Sequence, residues 1–315
     1  MDYNLCIVRP SGYAHSGAFT ELAEVIAYGL DDLGHVVHVN ENDMMPDARN
    51  ILIGCHLADP RATEHVPADT IVVNTEQLHV DEQPWNEAIY RWASRYETWD
   101  YSARNLAKLH SLGIGHARYL KLGFHPKLRR IPDDVEQDID VLFYGTIGPR
   151  RAAILEALQA RGLNVGIVSG GLYGAERDAF IARAKVVLNL HHYASHIFEV
   201  VRAFYLMTNG KAIVGEVSPT TSVDPDYATP TASVRRRTTR WWRRASNSSA
   251  IPRNAAGSKP TRWRRSAAIR RPGRSRRCWP HTRWRHDDAT SRAAVVGAIA
   301  TARRQRVLVA CPQAV

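Results

Sequence analysis

A parallel α/β fold in two domains is what this sequence predicts, on three observations. Short Val- and Ile-rich runs alternate with segments of helical periodicity, several of them closed by glycine. That alternation belongs to strands covered by helices on both faces. One stretch, Val186 to Glu216, shows a whole unit of strand, polar loop, helix and strand. A charged segment with a proline, residues 127–139, divides the chain near its middle and reads as a linker.

The unit from Val186 to Glu216 carries the functional argument. Val186 to Leu190 is an apolar, β-branched run, a strand buried on both faces. His191 to Ile197 is a polar loop with three imidazoles. Phe198 to Met207 has helical spacing, with Glu199 and Arg202 in its first turns. Asn209-Gly210 ends the helix, since both residues tolerate the left-handed conformation of a C-cap. Lys211 to Gly215 returns as a strand. In open parallel sheets ligands bind at the carboxyl ends of strands and at helix N-termini. Both converge here on the segment from His191 to Glu199, which points to a nucleotide or a phosphate-bearing ligand.

These residues resemble the donor-binding half of the bacterial GT-B glycosyltransferases, the group that includes the family 4 enzymes, and the likeness extends over roughly the first 225 residues. The resemblance implies two Rossmann-like domains and transfer of a sugar from a nucleotide-diphosphate donor to a glycan, lipid-linked or protein acceptor, with peripheral membrane contact among the partners it allows. It implies that Glu199 holds the donor ribose. The position eight residues earlier, often a second glutamate in the group, is His191, which would meet the donor sugar or phosphate. No cofactor is implied, because the nucleotide sugar is itself the substrate.

The first domain, residues 1–126, opens as strand (Asn4 to Val8), glycine-containing loop, amphipathic helix (Phe19 to Leu33) and strand (Val36 to Val39). Gly17, at the helix start, either brings a backbone N–H to an anion or only makes a tight turn. Asn50 to Cys55 and Thr70 to Asn74 are further strands. Glu76 and His79 follow the second of these, where function collects in such sheets; as alternatives, Glu76 caps the next turn and His79 is a solvated loop residue. Trp85 to Trp99 reads as helix. Ser102 is the N-cap of a helix to Leu112. Tyr101 and Asn105 reach the cleft; as the alternative, Trp99 and Tyr101 simply pack the core. Ala117 to Leu122 is the last strand of this half.

The second domain, residues 140–230, begins with the strand Asp140 to Gly145. Gly145 lets the backbone approach a phosphate, and Arg150 and Arg151, before the helix Ala152 to Ala160, supply charge and bidentate geometry. The resemblance gives at least one of these arginines to the donor diphosphate. Tyr173, in the loop Gly170 to Gly174 after the strand Val165 to Val168, lies where a base or ribose would pack. Ala175 to Ala184 is the next helix. The histidines at 191, 192 and 196 invite a metal reading, but no cysteine or carboxylate cluster joins them and none is expected.

The four cysteines show no metal-type spacing, no run is apolar enough to span a bilayer, and the N-terminus has no basic segment before its first apolar run. A reduced, cytoplasmic setting fits. The net charge of +11 is unevenly spread. Residues 231–315 hold 22 Lys+Arg against two Asp+Glu, a net of +20, which leaves −9 for residues 1–230. This tail has 21 arginines, one lysine, no glutamate and five of the eight tryptophans. Nucleic-acid-binding tails are basic, but they seldom avoid lysine and are rarely rich in tryptophan. A GC-rich gene read out of frame gives this composition directly. Moved back by one nucleotide, the codons of Arg240 to Ala245 are compatible with ALVAAC, and those of Asn247 to Gly257 with ELLGDPAERRR. Both strings suit the end of such a donor domain. The expectation is therefore a glycosyltransferase whose second domain is truncated by a frameshift near Tyr227 to Thr231, followed by a disordered tail. A non-catalytic sugar-nucleotide-binding coat or assembly protein, and nucleic-acid binding through the tail, are the alternatives. Sequencing both strands of the gene across the codons for Asp226 to Arg237 should show one base lost or gained; an intact frame would overturn the reading.

Overall fold

The structure, a computed structural model, describes residues 1–78, 85–192, 197–217, 227 and 232–235. Two parallel sheets make up the α/β architecture. The first contains β1 (Asp2–Ile7), β2 (Val36–Glu41), β3 (Arg49–Ile53), β4 (Ile71–Val73), β5 (Glu97–Asp100) and β6 (Arg118–Tyr119), in the order β2-β1-β3-β4-β5-β6. The second contains β7 (Val141–Gly145), β8 (Val165–Ser169), β9 (Val187–Asn189), β10 (Ile213–Val217) and β11 (Ala232–Arg235), in the order β11-β10-β9-β7-β8. Counted within each sheet, both run 2-1-3-4-5, with an extra edge strand on the first. In each, the winding reverses beside its first strand, between β1 and β3 and between β7 and β9. In parallel sheets such a reversal is where a crevice forms at the strands' carboxyl ends.

Alternation explains the layers, because successive side chains of a strand leave on opposite faces. Leu5, Ile7, Ile51, Ile53, Ile71 and Val73 face α1 (Thr20–Asp32), where Phe19, Leu22 and Ile26 meet them. Cys6, Val8, Leu52 and Val72 face the other way, onto Trp92 and Tyr96 of α2 (Asn86–Arg95) and its end. In the second sheet Val141, Phe143, Leu188 and Val214 pack on Ile154, Leu155 and Leu158 of α4 (Pro149–Gln159). Leu142, Val187 and Ile213 turn to the opposite face and join the same apolar cluster as Leu5 and Ile7. One core is thus continuous from sheet to sheet, through Leu128, Ile131 and Ile139 of the segment expected as a linker.

A buried ion network crosses the same junction. Glu21 of α1 accepts two hydrogen bonds from Arg177 of α5 (Ala175–Arg183), at 2.9 and 3.2 Å. Arg177 also donates to Asp178 at 2.6 Å and lies over the rings of Tyr144 and Tyr205. Tyr205, in α6 (Val200–Thr208), donates to Asp178 at 2.5 Å. Arg130 adds bonds to Glu21 and Glu24. Asn209 fastens the linker: its Oδ1 accepts from the N–H groups of Arg130 and Ile131, and its Nδ2 donates to the Leu128 carbonyl. The left-handed residue that closes α6 is Gly210, with φ of +65°.

Two expectations are corrected. The helix read from Trp85 to Trp99 ends at Arg95, and Glu97–Asp100 is a strand paired with β4 and β6. Tyr96 is extended, and its hydroxyl donates to the Thr63 and Val66 carbonyls, which turns the chain into the sheet. The disordered tail was expected to start at Thr231, yet Ala232–Arg235 pairs in parallel with β10, from Val214 opposite Ala232 to Val217 opposite Arg235. Strand pairing uses backbone groups, so the open edge of β10 accepts a segment whatever its composition. Residues 236–315, and with them the rest of the frameshift reading, lie outside the described residues. Elsewhere the expected N-cap is present: Ser102 accepts the Asn105 N–H ahead of α3 (Ala103–Ser111).

Removing one partner of a buried ion pair strands the other charge. Glu21→Ala should therefore destabilise the protein by roughly 3–5 kcal/mol in guanidinium denaturation, whereas Glu21→Leu combined with Arg177→Met should lose much less.

Candidate functional site

The site begins at the carboxyl ends of β7 and β9. Gly145 ends β7 with φ of +126°, and a Cβ there would lie 3.2 Å from an Arg202 guanidinium nitrogen. The bare backbone lets Arg202 reach the Tyr144 carbonyl at 3.2 Å and Asn189 Oδ1 at 3.1 Å, with the guanidinium over the Tyr144 ring. Arg151 is buried and ties together the loops after β7 and β9. It donates to the carbonyls of Thr146 (2.8 Å) and Leu190 (2.5 Å) and to His192 Nδ1 (3.2 Å). His192 stays neutral: burial, then the charges of Arg151 and Arg202, push its pKa down to about 4. Arg150 is ion-paired with the buried Glu216 of β10 and stands 3.5 Å from the His191 carbonyl. The Glu216 carboxylate also accepts the His191 N–H at 3.3 Å. His191 Nδ1 lies 3.2 Å from the Ile197 carbonyl, so that nitrogen carries its proton.

Glu199 precedes α6 and is partly exposed. Its carboxylate lies 4.0 Å from Arg151 and 3.4 Å from Nε2 of Gln77, which follows β4 of the first sheet. Gln77 also approaches the Ile197 carbonyl at 3.5 Å. The loop after β4 therefore meets the loop before α6, and the crevices of the two sheets become one cleft. A second contact closes it nearby. The Tyr173 ring of the second domain sits where a Cβ of Gly17 would stand, and the Tyr173 hydroxyl lies 3.2 Å from His15 Nδ1. Burial pushes the Tyr173 phenol up to about 12.

Glu76 comes into this cleft on a loop built from behind. Asn74 Oδ1 accepts the Glu76 N–H at 3.1 Å, and the Glu76 carbonyl accepts from Asn74 and Asn105, each at 2.9 Å. Asp100, wholly buried, accepts from Asn74 (2.6 Å), Asn105 (2.9 Å) and the Ser102 N–H (2.7 Å). Burial outweighs these bonds and pushes its pKa up to about 7. Tyr101 donates to the Thr75 carbonyl. Tyr101 and Asn105 thus support the loop and are buried; neither lines the cleft, and Tyr101 packs as the alternative reading has it. The Glu76 carboxyl lies 3.5 Å from His56 Nε2. Burial, then the charge of Glu199, pushes Glu76 up to about 8, while burial pushes His56 down to about 3.

Of the residues singled out in the sequence, Gly145, Arg150, Arg151, His191, Glu199 and Arg202 gather at one end of the second sheet. Gly17 meets Tyr173 across the cleft, and Glu76 faces the Glu199 side. His79 and His196 lie outside the described residues. His56, Gln77 and Glu216 enter the site only in the structure, because a lone imidazole after a strand, a lone amide and a lone glutamate ending a strand carry no pattern in the sequence. Among the described residues no group of three His, Cys, Asp or Glu side chains converges as a metal site, and no helix is long and apolar enough to cross a membrane.

The fold and site thus define a two-sheet parallel α/β protein with a polar, carboxylate- and arginine-lined cleft. No protein-family model matches the chain. It is 29% identical over 188 residues to Uncharacterized protein L140 of Acanthamoeba polyphaga mimivirus, covering 59% of this chain and 58% of that one. It is 23% identical over 188 residues to Uncharacterized protein L137 of the same virus, covering 24% of its length. The chain therefore spans between a quarter and three fifths of these relatives, whose names assign no activity. A glycosyltransferase from Rickettsia africae ESF-5, of known crystal structure, aligns over 75% of this chain and 85% of its own, at 10% identity and a TM-score of 0.42.

The raised pKa of Glu76 has a signed consequence. The folded state keeps the proton that the unfolded chain gives up, so this group's stabilising contribution is complete below about pH 4.5 and is lost as the pH rises through about 8. Urea denaturation between pH 5 and 9 should show the stability of the wild type, relative to Glu76→Gln, falling as the pH rises.

Proposed function

We propose that the chain is a glycosyltransferase of the GT-B type, taking a sugar from a nucleotide-diphosphate donor to a glycan, lipid-linked or protein acceptor. The observation that carries the reading is the position of Glu199. It stands at the start of α6, directly beyond β9, at the winding reversal of the second sheet, and it faces Gln77 of the first domain. In such sheets that crevice holds nucleotides, and a carboxylate there suits the paired hydroxyls of a ribose. Arg150 and Arg202 flank the same strand ends and stabilise charge on the departing diphosphate, the main electrostatic demand of the reaction. His191 lies beside the donor sugar. Glu76, on the side of the first sheet, is the base: its ionised form, which grows as the pH nears 8, takes the acceptor's proton in an inverting displacement.

A titration of the full chain with UDP, GDP and ADP, followed by calorimetry, tests this. At least one should bind. Losing a hydrogen bond to a charged group costs about 1.5–3 kcal/mol, so Glu199→Ala should weaken binding roughly tenfold to a hundredfold. Unchanged affinity in that variant, or binding to none of the nucleotides or their sugars, would sink the proposal.

A further inference from the structure

His56 is the buried group that the proposed reaction leaves unexplained. It follows β3, where the chain leaves the sheet through Gly54 at φ of +80°. Only 1% of its side chain is exposed. Neither ring nitrogen makes a hydrogen bond of ordinary geometry among the described residues. The ring stands edge-on to Phe19, centroids 6.3 Å apart. On its polar side, Nε2 is 3.5 Å from Glu76 Oε1. A buried polar group without a good bond costs about 1–3 kcal/mol, so such a group calls for an explanation.

Proton placement supplies one. Over the neutral range Glu76 holds its proton and the His56 imidazole is neutral, both mainly because they are buried. The pair therefore contains one acidic proton and, beside it, an imidazole lone pair. The other groups that act on it are few. Glu199 faces Glu76 across the cleft. The Cys55 thiol, next to His56, is pushed up to about 12 by burial and stays neutral. Arg151 reaches Glu199, at 4.0 Å.

We propose that His56 is the positioning residue for Glu76: it receives the Oε1–H bond of the carboxyl, fixes its rotation, and leaves Oε2 to meet the acceptor hydroxyl. This deepens the reading of Glu76 as the base and rests on it. Glu76 first gives up its Oε1 proton to solvent, and the neutral imidazole, turning to its Nε2–H tautomer, donates to Oε1. In the transfer the acceptor O–H bond breaks and its proton goes to Oε2 of the carboxylate. The acceptor oxygen bonds to the sugar C1, and the C1–O bond to the diphosphate breaks, its electron pair leaving on the diphosphate. The Oε2 proton then goes to the diphosphate, which restores the carboxylate, and His56 stays neutral throughout.

Two measurements on the full chain test the pairing. In protein labelled with ¹⁵N-histidine, the ring signal absent from His56→Gln identifies His56. That signal should shift between wild type and Glu76→Gln, and should respond in the wild type as Glu76 titrates; a signal indifferent to Glu76→Gln overturns the proposal. In the second, release of nucleoside diphosphate is followed with UDP-glucose and GDP-mannose. His56→Ala should lower kcat roughly a hundredfold, with KM nearly unchanged and an altered pH profile, and His56→Gln should recover part of the loss. A folded His56→Ala with wild-type kcat also overturns it. If Glu76→Gln turns over normally while the ring signal responds to it, the pairing stands and the assignment of Glu76 as base has failed. If neither nucleotide sugar is turned over, the ring signal alone decides the pairing.

Discussion

The buried pair of Glu21 and Arg177 is the constraint on which the cleft depends. Two charges taken out of water are costly unless each finds its partner in good geometry. Here the guanidinium gives two hydrogen bonds to Glu21 and two to Asp178 and is roofed by the rings of Tyr144 and Tyr205. These partners come from around both sheets: α1 against the first, and β7, α5 and α6 of the second. A relative movement of the sheets would expose or unpair the charge. The shared apolar cluster resists the same movement, because Phe19 and Leu22 beside the first sheet and Ala203 and Phe204 beside the second lie in one core. The network therefore sets the spacing between the two sheets' carboxyl ends. That spacing brings Gln77 to Glu199 and Tyr173 to Gly17.

Within the cleft five titratable side chains form a chain of neighbours. His56 stands beside Glu76, Glu76 faces Glu199, Glu199 lies near Arg151, and Arg151 donates to His192. Burial and like charge keep Glu76 protonated, and burial and nearby cations keep His192 neutral. A site arranged in this way holds one acidic proton on the first domain and a cationic floor on the second. The Asp100–Asn74–Asn105 network supplies the rigidity, since it satisfies the backbone of the loop that carries Glu76 and leaves little freedom there.

Most of the strands were legible, because β-branched runs such as Ile71–Val73 and Val187–Asn189 leave little else for the chain to do. The helix read through Trp99 failed for a physical reason. Aromatic residues suit a helix face and a strand equally, and the deciding event is the tertiary bond from Tyr96 to Thr63 and Val66, 33 and 30 residues away. The strand at Ala232–Arg235 was hidden because composition says nothing about an open sheet edge. In the site, glycine and arginine after β7 could be read from spacing. His56 and Glu216 could not, since one imidazole and one carboxylate carry no local pattern. They gain their meaning only when β3 meets β4, and β10 meets β9, in the sheets.

The arginines of the second domain are already engaged, and this bears on how an anion would bind. Arg150 is paired with Glu216, and Arg151 is spent on the Thr146 and Leu190 carbonyls. Arg151 therefore shapes the strand ends, while Arg150 is held by a group that a ligand can replace. A neutral ligand would gain nothing by displacing the Glu216 carboxylate. A doubly charged diphosphate would bring more charge than one carboxylate supplies, and Glu216 would keep the His191 N–H as an acceptor partner. On the proposed reading, the internal carboxylate thus holds Arg150 in place while the site is empty and favours ligands of higher negative charge. The energetic gain is the difference between two anions at one guanidinium, not the full value of a new ion pair.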